Sequence, residues 1–370
     1  MRPLEHFLKR LLLRLIGLFR SGAQYSVSQL PVASLNRILI IRQHDQLGDL
    51  LIATPSFRAL RKTFPHAFIA IVVREYTSPI VENNPYVDQV IIFYEKLWRW
   101  NVRKAVAFWK SLRNEYDCAI VLNTISRSFS SDMIALLSGA KFIVGSDHLR
   151  LDPLLPEKIY NVVVHASPLQ KHEIERNLDI VRSLGGEEND CEYDLVLTDA
   201  EVIEAEKIYQ SLRMEGNKRV VGVHFGALNR SKCFPLEKLA LVVDWIIDKF
   251  DASVVLIVSP NEIERRQSIL SMIHHKVYSA PVMPLRVMAA FMRHMGLVLC
   301  NDTGTLHIAA SQRVPTVSFH SLSDPAIWKP PHRRHIAVRA DDMRITSITI
   351  EQVQAAVMTS MKNYVRKSTL

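Results

Sequence analysis

Short apolar runs rich in β-branched residues alternate with longer stretches of helical periodicity, and this alternation constrains the fold most strongly. The run 38–42 ends in polar residues, after which leucine, alanine and phenylalanine recur at helical spacing. Strands that alternate with helices predict βαβ units and a parallel sheet. In the first half of the chain, the predicted strands are 38–42, 67–73, 89–93, 117–122 and 142–144, and the predicted helices include 102–114 and 131–137.

The second half repeats this plan, with predicted strands at 220–224, 253–257, 296–299 and 316–319. Because 370 residues exceed one ordinary core, we expect an α/β protein of two Rossmann-like, doubly wound domains that face a central cleft. Ligands of open α/β sheets bind beyond the carboxyl ends of the strands. The predicted organisation is a basic amphipathic N-terminal segment 1–34, a first domain 35–190, a connection 191–216, a second domain 217–348 and a C-terminal helix 349–370.

The first twenty residues carry five basic side chains against one acidic side chain, with leucine and phenylalanine at helical spacing. Arginines interrupt the apolar run, so it is too short and too charged to span a bilayer. No small-residue cleavage site follows it, which disfavours a secretory signal. Two interpretations remain: a cationic amphipathic helix on an anionic membrane surface, or a surface helix packed on the protein.

The formal net charge of +9 favours anionic partners. The basic residues are scattered without a run of five, so nucleic acid is not a predicted partner. No two of the four cysteines form a C-x-x-C pair, so we expect reduced thiols and neither a zinc site nor a disulfide framework.

A polar turn with the sequence QHDQLGD follows the first predicted strand and ends in Gly48 and Asp49. Glycine permits a tight turn or a close approach of the backbone. Asp49 falls where an N-cap would stand, so it could simply cap the next helix. Alternatively, its carboxylate projects into the cleft and takes a proton from a substrate hydroxyl. The turn lacks G-x-G-x-x-G, so no dinucleotide fingerprint is present.

The second predicted domain opens with a comparable turn, which contains Gly226 and Lys232. Gly226 again permits a close backbone approach. Lys232 either binds a phosphate as a point charge or is a solvated surface lysine. Glu262, which follows the strand 253–257, either accepts hydrogen bonds from ribose hydroxyls or only complements the N-terminus of the next helix.

The third turn has the sequence NDTGTLH, in which a strand ends, Gly304 permits a tight bend and a helix begins near Thr305. Backbone N–H groups at a helix start attract anions, and Thr303 adds a hydroxyl donor, so a diphosphate fits this turn. Asp302 would repel phosphate unless it is turned aside, so we expect it to hold the loop or to contact a sugar hydroxyl. As alternatives, Asp302 caps the helix and His307 faces the core.

Together, these motifs resemble the ADP-heptose:lipopolysaccharide heptosyltransferases of glycosyltransferase family 9, which have the GT-B fold of two Rossmann-like domains. The resemblance covers about 38–328 and depends on the Gly48-Asp49 turn together with the DTG loop and its histidine. Further matching stretches are DCAIVL at 117–122, HEIERN at 172–177, Gly226 with Lys232 and Pro235, and Pro315 with Trp328.

The resemblance implies an inverting glycosyl transfer that needs neither a metal nor another cofactor. It implies a first domain that binds the acceptor at Gly48, with Asp49 as general base, and a second domain that binds an ADP-sugar donor. The donor-binding residues that it implies are Gly226, Lys232, Glu262, Asp302, Thr303, Gly304, Thr305 and His307.

The positive charge and the basic N-terminal segment favour an anionic glycolipid acceptor, and the resemblance implies the lipopolysaccharide core and a heptose or related sugar. Arg127, at the end of a predicted strand, is a candidate acceptor contact. We then expect a cytoplasmic protein that lies peripherally on the cytoplasmic face of the inner membrane. Two alternatives share the architecture: a nucleotide-sugar epimerase, and a non-catalytic or differently specific GT-B protein.

Overall fold

Each half of the chain is built on a six-stranded sheet, and every pair of neighbouring strands is parallel. The computed structural model describes residues 24–125, 127–147, 159–165, 168, 170–214 and 218–365. The chain divides into two compact units between Cys191 and Glu192. The first twenty residues, predicted as an amphipathic helix, lie outside the described residues.

The sheet of the first unit consists of β1 (Arg37–Ile41), β2 (Phe68–Arg74), β3 (Gln89–Phe93), β4 (Cys118–Val121), β5 (Phe142–Ser146) and β6 (Val162–Val164). Its strand order, β3-β2-β1-β4-β5-β6, is that of a dinucleotide-binding fold. The central strand β1 is apolar without alternation because sheets of this type are covered by helices on both faces. The helices of this unit are α1 (Leu47–Thr63), α2 (Val102–Leu112), α3 (Phe129–Ser138) and α4 (Glu173–Arg182).

The sheet of the second unit consists of β7 (Val220–His224), β8 (Ser253–Leu256), β9 (Tyr278–Ser279), β10 (Leu297–Asn301), β11 (Thr316–His320) and β12 (His335–Arg339). Its order, β12-β11-β10-β7-β8-β9, repeats that of the first sheet strand for strand. The predicted α/β class with two Rossmann-like sheets is therefore confirmed. The helices are α5 (Asp199–Ser211), α6 (Leu236–Phe250), α7 (Ile263–Leu270), α8 (Leu285–Met292), α9 (Gly304–Ser311), α10 (Pro325–Trp328) and α11 (Ile350–Val365).

Helix α1 is continuous although it contains Pro55. Proline has no N–H, so the carbonyl of Leu51, four residues earlier, loses its usual helical donor. The hydroxyl of Thr54 donates to that carbonyl over 2.7 Å instead. This local substitution keeps a buried carbonyl satisfied in the helix that begins at the candidate site.

Helix α5 lies within 191–216, which the sequence suggested as a connection. It belongs to the second unit and packs on α8 of the same unit. Glu201 in its first turn pairs with Arg286 of α8 at 2.5 Å. The hydrogen bond from Arg286 lowers the pKa of Glu201 to about 2, so the pair is ionised at neutral pH. Among the described helices, none has the length and apolar character needed to cross a bilayer.

Candidate functional site

Asp49 lies in the first turn of α1, just beyond the carboxyl end of β1. The helix begins at Leu47 with Gln46 as its N-cap, so the expectation that Asp49 is the N-cap is wrong by three residues. The carboxylate instead accepts a hydrogen bond from the backbone N–H of Gln46 at 3.0 Å. Gly48 is a helical residue here, so no tight turn is formed at that position. Asp49 remains half-exposed, with lone pairs available for a further donor.

The buried guanidinium of Arg42 fixes the backbone beneath Asp49. Its Nη2 donates to the carbonyl of Asp49 at 3.1 Å, and its Nε donates to Asp45 Oδ2 at 2.5 Å. Its Nη1 donates to the carbonyl of Leu122, just after β4, and to Asn177 Oδ1 of α4 at 3.2 Å. One side chain therefore joins the ends of two strands, the start of α1 and the middle of α4.

Asn177 continues this network into a second buried ion pair. Its side-chain amide donates to the carbonyl of Glu173 at 2.7 Å, and Arg176 pairs with the Glu173 carboxylate at 2.8 Å. Arg176 also donates to the carbonyl of Thr124, whose hydroxyl donates to Glu173. Burial raises the pKa of Glu173, and burial raises the pKa of Asp45 to about 7 although Arg42 opposes it. The network holds the HEIERN stretch against the strand ends, a role that the sequence analysis had not assigned.

Arg127 lies between β4 and α3, and its side chain is only 4% exposed. Its Nε is 2.9 Å from Asp132 Oδ2, and its guanidinium lies 4.6 Å from the ring centroid of Tyr160. The Tyr160 hydroxyl donates to the same Asp132 at 2.7 Å. This buried cluster accounts for Arg127 as a structural residue of the first unit, and its contact with an acceptor stays a prediction.

In the second unit, Gly226 follows β7 and lies directly against Glu262. A Cβ built on Gly226 would lie 1.1 Å from Glu262 Oε1 and 1.8 Å from its Cδ, so any side chain here would displace the Glu262 carboxylate. Glu262 Oε2 accepts a hydrogen bond from Ser259 N at 3.1 Å and lies 3.3 Å from His224 Nε2. Burial alone would raise the pKa of Glu262, but the contacts with His224 and Ser259 outweigh it and lower the pKa.

Replacing Gly226 by Ala is expected to push the Glu262 carboxylate out of this position and to lower the free energy of unfolding by about 1–3 kcal/mol. Urea denaturation measures the loss. Gly222→Ala is the matched control, because a Cβ there would come within 3.1 Å of Ile257 Cδ1 and 3.3 Å of Met295 Cγ and Val298 Cγ2, and overlap none of them as it does Glu262. The added variant Glu262→Ala should relieve most of the Gly226→Ala defect. Equal stability of the two glycine variants would contradict the assignment.

Asn301, the last residue of β10, ties the loops that follow β7 and β10 together. Its Oδ1 accepts from Phe234 N at 2.8 Å, and its Nδ2 donates to the carbonyl of Gly226 at 3.0 Å. Lys232 lies in the loop between these two partners, and its Nζ is 3.4 Å from Asp302 Oδ2. The sequence analysis assigned no role to Asn301, although a polar residue at the end of an apolar strand is a signal for a structural or functional role.

The carboxylate of Asp302 is turned toward several donors and cations of the second unit. Ser323 donates to Oδ2 through its hydroxyl, and His320 Nδ1 lies 3.9 Å from Oδ1. Burial would raise the pKa of Asp302, but His320, Ser323, His307 and Lys232 together lower it. Asp302 therefore stays ionised and organises the loop after β10.

The DTG loop leads into α9, with Thr303 at the N-cap and Gly304 as the first helical residue. The helix thus begins one residue before the predicted start at Thr305. Thr305 and His307 are both buried, and the His307 ring lies 5.8 Å from the ring of Tyr193. The first N–H groups of a helix have no intrahelical acceptor, so this terminus can bind an anion beside Lys232.

His320 makes the stability of the second unit sensitive to acid. It is fully buried, its Nε2 is 2.8 Å from Ser318 Oγ, and burial lowers its pKa from 6.5 to about 4. Between these two values only the unfolded chain takes up the proton, so stability falls as pH drops from 6.5 to 4, by at most about 3 kcal/mol. Urea midpoints across this range should show a shallower slope for His320→Gln. Some slope should remain, because His44 and His335 also have lowered pKa values and are still present in the variant. A slope equal to that of the unaltered protein would contradict the assignment to His320.

The two strand-end clusters differ in charge and in the chemical groups that they offer to a ligand. The first offers a half-exposed carboxylate, Asp49, on a rigid buried network. The second offers a lysine, a helix N-terminus and threonine side chains around the end of β10. Within the described ranges, no group of three or more His, Cys, Asp or Glu side chains is arranged to hold a metal ion.

Comparison with known proteins identifies the family to which the chain belongs. The family model of glycosyltransferase family 9 (heptosyltransferase) matches residues 105–355, well over half of the chain. A Haemophilus influenzae protein with a provisional glycosyltransferase name is 25% identical over 361 residues, covering 89% of this chain and 98% of that protein. Lipopolysaccharide heptosyltransferase 3 of Escherichia coli is 23% identical over 315 residues, covering 80% of this chain and 87% of that protein.

The fold agrees with this assignment. The structure of Escherichia coli heptosyltransferase WaaC with ADP has a TM-score of 0.70 at 20% identity, and the match covers 88% of this chain and 99% of that one. The strand order of both sheets and the family match point the same way. The chain therefore belongs to glycosyltransferase family 9, the heptosyltransferase family, and is a glycosyltransferase with the GT-B fold.

Proposed function

We propose that this glycosyltransferase moves heptose from ADP-heptose to the inner core of lipopolysaccharide, with inversion at the anomeric carbon. The observation that carries the proposal is the cluster after β7 and β10, where Lys232 lies beside the N-terminus of α9. A cation next to a helix N-terminus suits a diphosphate. The relatives support the rest, since one is named a lipopolysaccharide heptosyltransferase and WaaC was solved with ADP.

The donor binds to the second unit. The diphosphate accepts hydrogen bonds from the N–H groups of Gly304 and Thr305 and from the Thr303 hydroxyl at the start of α9. Lys232 is 41% exposed at its side chain, so its ammonium can move from Asp302 to the phosphates. Negative charge that develops on the leaving diphosphate is thereby stabilised without a metal ion.

Further contacts of the donor follow from the same loops. Glu262 accepts hydrogen bonds from the ribose, and the absence of a side chain at Gly226 leaves room for the carboxylate that does so. His307, in the first turns of α9, lies beneath the diphosphate and supports the loop through Asp302.

The acceptor binds to the first unit, where Asp49 acts as general base. The acceptor oxygen attacks the anomeric carbon from the face opposite the diphosphate, and the bond from that carbon to the phosphate oxygen breaks. Asp49 takes the hydroxyl proton, and ADP leaves with the electron pair of the broken bond. Attack from the opposite face inverts the anomeric configuration. Arg42 keeps the Asp49 backbone in place during this step.

The test is transfer by the purified full-length protein, followed by mass spectrometry of the acceptor. We expect a mass gain of one heptose on heptose-deficient lipopolysaccharide with ADP-heptose, and an unchanged rate in EDTA. ADP-glucose and UDP-N-acetylglucosamine serve as control donors. Transfer from either of these but not from ADP-heptose would overturn the donor assignment, and release of UDP without any acceptor would favour an epimerase.

A further inference from the structure

An apolar and cationic surface on the first unit has no part in the proposed chemistry. It consists of residues 96–113, which form the turn Leu97–Arg99 and helix α2. This stretch holds six Lys or Arg residues, no Asp or Glu, and three of the five tryptophans of the chain. We call it the tryptophan patch. Its exposed large apolar residues, with their exposed fractions, are Leu97 (87%), Trp98 (76%), Val102 (81%), Val106 (47%) and Trp109 (49%).

Hydrogen bonds and ring packing hold the backbone of the tryptophan patch in place, with these apolar side chains exposed. Trp100 anchors it, because its Nε1 donates to the carbonyl of Tyr94 at 2.7 Å and its ring packs on Phe108 with centroids 5.3 Å apart. Asn101 caps α2 by accepting a hydrogen bond from Lys104 N at 2.9 Å. Of the helix, only Leu112 is buried among the described residues, so α2 presents most of its surface to its surroundings.

The turn Leu97–Arg99 of the patch lies at the same edge of the sheet as Asp49. This turn follows the carboxyl end of β3, and β1, β2 and β3 run parallel, so their carboxyl ends share one edge. Helix α2 runs from there toward the opposite edge, where Arg37 Nε donates to the carbonyl of Asn114 at 2.8 Å. Arg74 at the end of β2 connects the two places. Its side chain donates to the carbonyls of Gln43 at 3.2 Å and His44 at 2.5 Å, and lies 3.4 Å from Glu95 Oε1.

We propose that the tryptophan patch docks on an anionic lipid surface. Tryptophan prefers the interface between lipid and water, and lysine and arginine are attracted to anionic headgroups. A contiguous exposed apolar surface with a basic surround marks an interaction site, whereas single exposed apolar residues are ordinary. Docking would bring Asp49 toward a lipid-borne acceptor, and this consequence rests on the proposed function. The docking itself does not depend on the proposed function.

Charge argues for lipid rather than for a second copy of the chain. In a symmetric pair, the same patch contacts itself, so six cations of one copy would face six of the other. Like charges brought together in this way disfavour association. Nearby acidic residues offset this charge only in part, because Glu75 pairs with Arg99 at 3.5 Å, whereas Glu95 lies 3.4 Å from Arg74, which is outside the patch.

The experiment is co-sedimentation of the full-length protein with vesicles of phosphatidylcholine alone or mixed with phosphatidylglycerol. We expect binding to the mixed vesicles that weakens in high salt. The double variant Leu97→Ser with Trp98→Ser should bind about tenfold more weakly. The variant Arg103→Gln with Lys110→Gln should lose about fivefold per charge, and only on the anionic vesicles.

The control is Ile203→Ser with Lys207→Gln, which removes an exposed apolar residue and a charge from α5 of the second unit. It should bind as the unaltered protein does, and all variants should keep their transfer rate on a delipidated oligosaccharide acceptor. Unreduced vesicle binding by both patch variants would overturn the proposal and assign any binding to residues 1–20. Sedimentation that shows a dimer of the unaltered protein but a monomer of the Leu97/Trp98 variant would overturn it in favour of self-association.

Discussion

Asp49→Asn is expected to lower kcat for heptose transfer by about 10²–10⁴-fold, with little change in the KM for ADP-heptose. An amide cannot take up the hydroxyl proton at neutral pH. The amide oxygen can still accept the hydrogen bond from Gln46 N–H, so the start of α1 should keep its structure. The donor contacts lie on other residues and are unaffected. Initial rates of ADP release and of acceptor glycosylation measure the effect.

A comparison with Asp49→Ala separates catalysis from helix capping. If the carboxylate only caps α1, the Asn variant keeps nearly the full rate, and the Ala variant loses about 0.5–2 kcal/mol of stability. If it is the base, both variants lose the rate equally. Near-native turnover by Asp49→Asn would remove the residue from the mechanism.

Lys232→Gln is expected to lower kcat by about 10²–10³-fold and to raise the KM for ADP-heptose. Glutamine keeps much of the length of the side chain but has no charge to oppose the growing negative charge of the leaving diphosphate. The Asp302 carboxylate, which lies 3.4 Å from that ammonium, would also repel the phosphates more strongly, because the positive charge that offsets it is gone. Steady-state kinetics and the calorimetric affinity for ADP give the two parts of the loss.

Arg230→Gln is the matched control, since Arg230 is exposed on the same short turn two residues earlier. Its removal changes the net charge equally but leaves the ammonium beside Asp302 in place. An equal loss of rate in both variants would mean that the positive potential of the loop matters and that Lys232 has no specific contact with the diphosphate.

The α/β class and the strands that carry the candidate site could be predicted from local pattern, whereas the short edge strands and the strand order could not. The strands Gln89–Phe93 and Val220–His224 were predicted with their bounds, because short β-branched runs are flanked by polar residues. Strands β6, β9 and β12 were missed. Tyr278–Ser279 is two residues long and is a strand only through pairing with β8, which no periodicity can reveal. Strand order likewise depends on non-local contacts.

The same division holds for the candidate site. Asp49, Lys232 and the DTG loop could be named as candidates because each follows an apolar run, and polar residues at strand ends face the ligand side of a parallel sheet. The network of Arg42 was missed, because its partner Asn177 is 135 positions away in sequence. The N-cap of α1 was misplaced since Asp49 can serve either at the cap or at the third helical position, and only the hydrogen bond to Gln46 decides between them.

A crystal structure of the full-length protein with ADP tests the central claim most directly. We predict that the diphosphate lies on the N-terminus of α9, with its oxygens within hydrogen-bond distance of Gly304 N, Thr305 N and Lys232 Nζ, and that the ribose contacts Glu262. We also predict that Lys232 has left Asp302. ADP bound elsewhere on the chain, or an α9 terminus that stays empty at saturating ADP, would contradict it.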